Sequence, residues 1–470
     1  MKLSRMAITF AAVSMFWTSA AWAQSDLQQP ASAQYDLYYA DAQDESPSPS
    51  DAKKEAAPSA DAGGGCSSGC GQCDRCRRQW LPTIPDSCCP LDCPDECTWR
   101  LFDCWNNSNC YGISVTGFAA QSFTWNPDNP PDNFNGPQTF NDRSNEYQFN
   151  QLYLSAERAL QDDCCDWQIG GRIDLLLGTD HRFTTAGGLE DTWNSRRFYG
   201  LAMPQAYAEI GYNDWRVKLG HFYTIIGYEV VPAAENFFLS HAYTMQYGEP
   251  FTHTGALFTY KYNSQLQLIG GFDQGWDLWE DDNNRMSFLG GANWTSRDEN
   301  TTVAVAVAYG DENSAVNGNP PDERGVYSFV LTHKLNDRWT YVFQNDVGRQ
   351  QRGVANGNRA EWYGINQYLY YDINCCWTAG LRFEWFRDDD GTRVAGFDAA
   401  NTSSGGGFAG DFYEITLGAN YKPNANVVFR PEVRWDWYSG LNGIGGALSP
   451  YDAGTDRSQT TLAFDVIWLF

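Results

Sequence analysis

The sequence predicts an all-β transmembrane barrel of about sixteen antiparallel strands, with short periplasmic turns and long external loops. Three features predict it. The chain ends on Leu462, Phe464, Val466, Trp468 and Phe470, which share one face of an extended strand because side chains alternate with period two. From Tyr111 onward, runs of alternating polarity are separated by tight polar turns and long Gly-, Asn- and Asp-rich loops in strict alternation. The third is an export signal at the N-terminus, with no other segment approaching the ~20 apolar residues of a spanning helix.

Residues 1–23 read as a cleaved secretory signal. Lys2 and Arg5 precede the apolar run Ala7 to Trp17, and Ala21-Trp22-Ala23 supplies the small-x-small site before Gln24. The formal charge of −26 becomes more negative once Lys2 and Arg5 are removed. Such a balance excludes nucleic acid and anionic membrane surfaces as partners.

Residues 24–65 are rich in Ala, Asp, Ser, Gln and Pro and contain Ser46-Pro47-Ser48-Pro49-Ser50. Too little apolar surface is available there to offset chain entropy, so this segment reads as a disordered linker. Residues 66–110 form a cysteine-rich module with Cys66, Cys70, Cys73, Cys76, Cys88, Cys89, Cys93, Cys97, Cys104 and Cys110. Cys70, Cys73 and Cys76 have the spacing of an iron–sulfur loop, and Cys89-Pro90 resembles its closing ligand. Trp80, however, occupies the place of the fourth cysteine, and export delivers the chain to an oxidising compartment. Disulfides are therefore expected, with no metal and no cofactor. The module reads as a periplasmic plug or anchor in contact with the cell wall.

The barrel domain spans 111–470. Its sixteen runs begin near 111, 146, 166, 203, 214, 251, 264, 286, 300, 326, 338, 361, 375, 411, 425 and 460, an even number as bacterial barrels require. Short connections follow even-numbered runs, at Asn213-Asp214, Asn263-Ser264, Ser296 to Glu299, Asn336-Asp337, Asn374-Cys375 and Pro423-Asn424. Vicinal cysteines Cys164-Cys165 and Cys375-Cys376 fall at such turns. Long loops follow odd-numbered runs, whereas a propeller would repeat four-stranded blades with similar loops.

Alternation then assigns the faces. Val427, Phe429, Val433, Trp435 and Trp437 oppose Arg430, Glu432, Arg434 and Asp436; Trp377, Leu381, Phe383 and Trp385 oppose Arg382 and Glu384; Trp215, Val217 and Leu219 oppose Arg216 and Lys218. A basic residue facing lipid at the midplane costs about 2–4 kcal/mol, so the charged rows line an aqueous interior. Trp167, Tyr212, Trp215, Tyr260, Tyr262, Trp294, Trp339, Trp377 and Tyr421 sit at run ends beside the short turns and suit an interfacial girdle.

Sixteen strands leave a water-filled channel, which makes passive diffusion of small hydrophilic solutes or ions the expected function. The third long loop, Tyr223 to Pro250, carries Ile225, Ile226, Tyr228, Phe237, Phe238 and Leu239. It is expected to fold inward and narrow the pore. Glu229, Glu235 and Glu249 on that loop would face inward Arg172, Arg216, Arg382, Arg430 and Arg434, creating a transverse field that orients dipolar solutes.

Around this loop the chain resembles the OmpL-like β-barrel porins of the outer membrane. The resemblance rests on Gly220-His221-Phe222-Tyr223-Thr224-Ile225-Ile226-Gly227-Tyr228-Glu229, on Asn236-Phe237-Phe238-Leu239-Ser240 and on Pro250-Phe251-Thr252-His253-Thr254-Gly255, and extends loosely over 111–470. It implies the barrel fold and the outer membrane more than any substrate.

Two other readings compete. One is a structural envelope anchor that uses the barrel and a cross-linked cysteine module. The other, a barrel-embedded hydrolase, lacks a Gly-x-Ser-x-Gly elbow or a His-Glu-x-x-His run; of His181, His221, His241, His253 and His333, the histidines near Ser240 and Thr252 read as loop hydrogen-bonders, so no enzyme is expected. The partners expected are outer-membrane lipids, the barrel-assembly machinery through the strand ending at Phe470, and the permeating solutes. Oligomeric state stays open, with a homo-trimer as one arrangement the fold class allows.

Overall fold

The alternating runs close into a barrel. The computed structural model describes residues 101–102, 106 and 111–470, except 162–165, 195–196, 313–321, 355–356, 398–402 and 442–448. The expected signal, linker and nearly all of the cysteine module, and Cys164-Cys165, lie outside the described residues.

Eighteen strands are present among the described residues. The first nine are β1 (Ser114–Trp125), β2 (Glu146–Arg158), β3 (Gln168–Gly178), β4 (Gly200–Tyr212), β5 (Trp215–Tyr223), β6 (Thr252–Lys261), β7 (Leu266–Asp273), β8 (Ser287–Thr295) and β9 (Thr301–Asp311). The others are β10 (Glu323–Asn336), β11 (Trp339–Gln350), β12 (Ala360–Asn374), β13 (Trp377–Asp388), β14 (Ala395–Phe397), β15 (Ser403–Gly407), β16 (Gly410–Asn424), β17 (Val427–Gly440) and β18 (Ser458–Leu469). Each barrel strand pairs antiparallel with the next, and β18 closes on β1. Only β14 and β15 stand outside, as a two-stranded hairpin within the seventh long loop that alternation did not reveal. All sixteen barrel strands begin within three residues of the expected starts.

The turns shift by one residue from expectation, for a local reason. Asn336, Asn374 and Asn424 are the last residues of their strands, not turn residues. Each side-chain carbonyl accepts a backbone N–H two residues on, from Arg338 (3.0 Å), Cys376 (2.9 Å) and Asn426 (2.9 Å) respectively. This is the turn an Asn side chain makes with its own backbone, and Asn263 repeats it with Gln265 at 2.7 Å.

The seam is completed by the terminal residue. Phe470 N donates to Gly117 O (2.8 Å) and Gly117 N donates to Phe470 O (3.0 Å), beyond the β1–β18 register that ends at Phe118 opposite Leu469. The Phe470 ring fills the space where Gly117 has no side chain: a Cβ there would lie 2.7 Å from Phe470 Cε2.

The outer face is apolar, with Phe258, Phe272, Phe288, Leu381, Leu417, Trp435, Phe464 and Trp468 among its exposed side chains. At the short-turn rim the aromatics stack in cross-strand pairs. Trp215 lies 4.5 Å from Tyr260, Trp339 4.5 Å from Tyr371 and Trp377 4.5 Å from Tyr421, between ring centroids. Tyrosine and tryptophan present an apolar body to lipid and a polar edge to the headgroup layer, which favours them at this level.

Candidate channel interior and its inward loop

The loop from Tyr223 to Pro250 lies within the barrel. Its base is closed where Thr224 N donates to Phe251 O (2.9 Å) and where the Thr224 hydroxyl meets His253 Nε2 (3.1 Å). From there it reaches β10, where Gly227 N donates to Ser328 Oγ (3.2 Å), and β2, where Gln151 bonds Val231 O (2.8 Å) and Ala233 N (3.0 Å). It returns along β12 and β11: Trp362 Nε1 donates to Gly248 O (3.0 Å) and Gln344 Nε2 to Glu249 (2.6 Å).

Between these points the inward arginines hold the loop backbone. Arg382 Nη1 donates to Ser240 O (2.6 Å) and to Glu229 (2.7 Å), while its Nε donates to Glu414 (2.5 Å). Arg430 Nη1 donates to the carbonyls of Ala233 (2.8 Å) and Asn236 (2.6 Å) and pairs with Asp465 through Nη2 (2.5 Å). Arg434 donates to His241 O (2.5 Å) and to Asp436 (2.9 Å). Carboxylates complete the pattern by accepting loop N–H groups. Glu432 takes Leu239 (2.9 Å) and Ser240 (3.1 Å), and Glu384 takes Tyr243 and Thr244 (2.6 Å each).

Apolar contacts are set by two wall glycines. A Cβ added at Gly380 would lie 2.7 Å from Phe237 Cζ, and one at Gly418 would lie 3.1 Å from Phe238 Cε1. Both rings are buried in a cluster with Val330, Val342, Tyr368 and Tyr370. The second half of the loop meets the other external loops. Tyr243 OH donates to Asp436 (2.7 Å) and touches Tyr451 OH (2.9 Å), and Arg393 donates to Tyr247 O (2.6 Å).

The expected pore residues therefore fall into two groups. Arg382 is fully buried, as are Arg434 and, nearly so, Arg430; these three fasten the loop and do not face an open gap. Arg172 keeps 24% of its side chain exposed, beside Asp174 (2.9 Å) and Glu157 (3.5 Å), and Arg216 is half-buried on the inner face of β5. The loop glutamates divide likewise. Burial pushes the Glu229 carboxyl up, but Arg382 and His241 pull it down further, to about 2, so it stays ionised. Glu249 is pushed well above the usual range by burial and then by Asp346. Glu235 alone is half-buried; burial raises its carboxyl to about 8, opposed by Arg172.

Sequence alternation identified Glu384, Glu432 and Asp436 as inward but gave no sign that they bind loop backbone. Gln151, Gln344, Trp362 and Tyr368, whose hydroxyl donates to Glu229 (3.1 Å), were missed. The histidines near Ser240 and Thr252 are hydrogen-bonders as expected: His241 Nδ1 meets Glu229 at 3.1 Å, and His253 Nε2 meets the Thr224 hydroxyl at 3.1 Å.

The model of a family described as "Putative beta-barrel porin-2, OmpL-like" matches residues 112–470. The fold is similar to the outer-membrane channel DcaP of Acinetobacter baumannii, at 12% identity and a TM-score of 0.50 over 76% of this chain and 97% of that one. An anion-selective porin from Comamonas acidovorans is similar at 10% identity and TM-score 0.48 over 76% and 99%. Vibrio cholerae OmpT, an outer-membrane protein, is similar at 10% identity and TM-score 0.47 over 76% and 97%. No curated protein sequence matches the chain.

Proposed function

Because the chain belongs to the OmpL-like β-barrel porin family, we propose that it is an outer-membrane porin through which small hydrophilic solutes diffuse passively, with residues 223–250 as its constriction. One observation carries this reading. A wide barrel needs no internal packing for stability of its wall, yet this loop is held across the lumen by side chains of β2, β10, β11, β12, β13 and β17. Such an arrangement sets a cross-section smaller than the wall alone would give.

The N-terminal region fits the same picture. β1 starts at the short-turn rim, since Ser114 pairs with Glu157 near the β2–β3 turn, and short turns face the periplasm in this fold class. Residues 24–65 and 66–110 would then be delivered to the periplasmic side as linker and cysteine-rich module.

Single-channel recording with purified full-length protein tests the proposal. A variant lacking residues 231–239 is expected to raise the unit current about twofold or more, because current scales with the narrowest section. Equal currents would remove the loop from the constriction. A folded wild-type barrel that passes no current would remove the porin reading itself.

A further inference from the structure

One charged strip of the lumen wall stays half-buried, whereas the arginines that fasten the loop are almost wholly buried. Glu157 on β2, Arg172 on β3, Tyr207 and Glu209 on β4 and Lys218 on β5 lie on the inner face, alternating with outward Ile173, Ala208 and Leu219. Strand register sets Glu157 directly opposite Arg172, Arg172 opposite Tyr207, and Glu209 opposite Lys218. Neighbouring strands are about 4.8 Å apart, so positive and negative groups alternate along the strip at the spacing of a small molecule. Lys218 Nζ sits 4.7 Å from the Tyr207 ring centroid, which places the aromatic face between the two cations.

This strip differs from the buried anchors in accessibility and in closure. Arg382 and Glu414 are fully buried and bonded at 2.5 Å. Arg172 and Glu157 are 3.5 Å apart, with 24% and 35% of their side chains exposed. Arg172 holds buried Asp174 at 2.9 Å through Nε, but its Nη1 lies beyond hydrogen-bond length from Glu157, which leaves that edge of the guanidinium and the Glu157 carboxylate able to take a partner from the lumen.

We infer that Glu157, Arg172, Glu209 and Lys218 form a specificity track for zwitterionic solutes that carry an ammonium and a carboxylate, the amino-acid and short-peptide class. Such a solute meets a carboxylate for its ammonium and a cation for its carboxylate in one pose. A simple ion meets attraction and repulsion in nearly equal measure along the strip, and an uncharged polyol gains no ion pairing. The inference rests on the channel reading above.

Liposome swelling with the purified full-length protein decides it, using glycylglycine and erythritol as solutes of similar size. The wild type is expected to pass glycylglycine about threefold faster than erythritol, a modest electrostatic enrichment for a wet lumen. Glu157→Gln, Arg172→Gln, Glu209→Gln and Lys218→Gln combined should bring that ratio to about one. The pair Glu209→Gln with Lys218→Gln, which leaves the Arg172–Asp174 contact intact, should lower the ratio partway and serves if the fourfold variant does not fold. An unchanged ratio in a heat-modifiable, folded variant overturns the inference. So does a wild-type ratio near one, with the channel reading intact; a wild type that passes neither solute overturns both.

Discussion

Placing a methyl group at Gly380 should unlatch the inward loop. The Cβ of Gly380→Ala would run into Phe237 Cε1 and lie 2.7 Å from Cζ and 2.8 Å from Cδ1, against ordinary contacts of about 3.5–4.0 Å. The ring must therefore retreat by more than about 1 Å. It has no room to do so in place, because Tyr370 lies 4.8 Å away and Phe238 4.7 Å away, centroid to centroid. Leaving the socket exposes a side chain whose burial is worth about 1.5–3 kcal/mol. A change of about 2 kcal/mol raises the population of a loop-released state roughly thirtyfold, since each 1.4 kcal/mol is a factor of ten.

Single-channel traces should then show Gly380→Ala visiting a higher-current level that the wild type rarely reaches. Phe237→Ala removes the ring and should show the same level. Combined with Phe237→Ala, the Gly380→Ala change should add almost nothing, because the clash partner is gone; non-additivity of this kind marks residues that act through one contact. Identical current histograms for wild type and a folded Gly380→Ala variant, or fully additive effects in the double variant, would refute the socket argument.

Three more outcomes are expected. Deleting Phe470 removes the two hydrogen bonds to Gly117 and the ring over it, so heat-modifiable barrel should be lost from the outer membrane; unchanged yield would count against a closing role. Glu235, with its carboxyl raised to about 8 by burial against the pull of Arg172, is neutral below that pH and charged above it. Cation preference read from reversal potentials should thus grow as pH rises from about 6 to about 9, Glu235→Gln should lessen the change, and the same slope in both proteins would dismiss it. Thiol titration of residues 66–110 should find paired cysteines and elemental analysis no stoichiometric metal, whereas a retained zinc or iron would restore Cys70, Cys73 and Cys76 as ligands.

The wall was legible because lipid and water act on every second residue. Within Val427 to Tyr438 each charged side chain faces inward and each bulky apolar one outward, apart from Val428 and Tyr438 at the ends of that row, so period two alone fixes strand, face and order. The loop's grip was not legible, and the arginines show why. Arg172 and Arg382 are the same residue type on the inner face of their strands, each with an acidic residue two positions on. What separates a half-exposed charge from a fully buried one is whether the loop lies over it, and Arg382 meets Glu229 from 153 positions away. The glycines were opaque for the complementary reason: Gly380 and Gly418 in a strand read as weak points, and only the rings of Phe237 and Phe238 give their missing side chains a purpose. A local pattern records the solvent a strand faces. The seating of a loop on that strand is recorded only in pairs of distant residues, which is why a glycine socket and a loop phenylalanine have to be tested together.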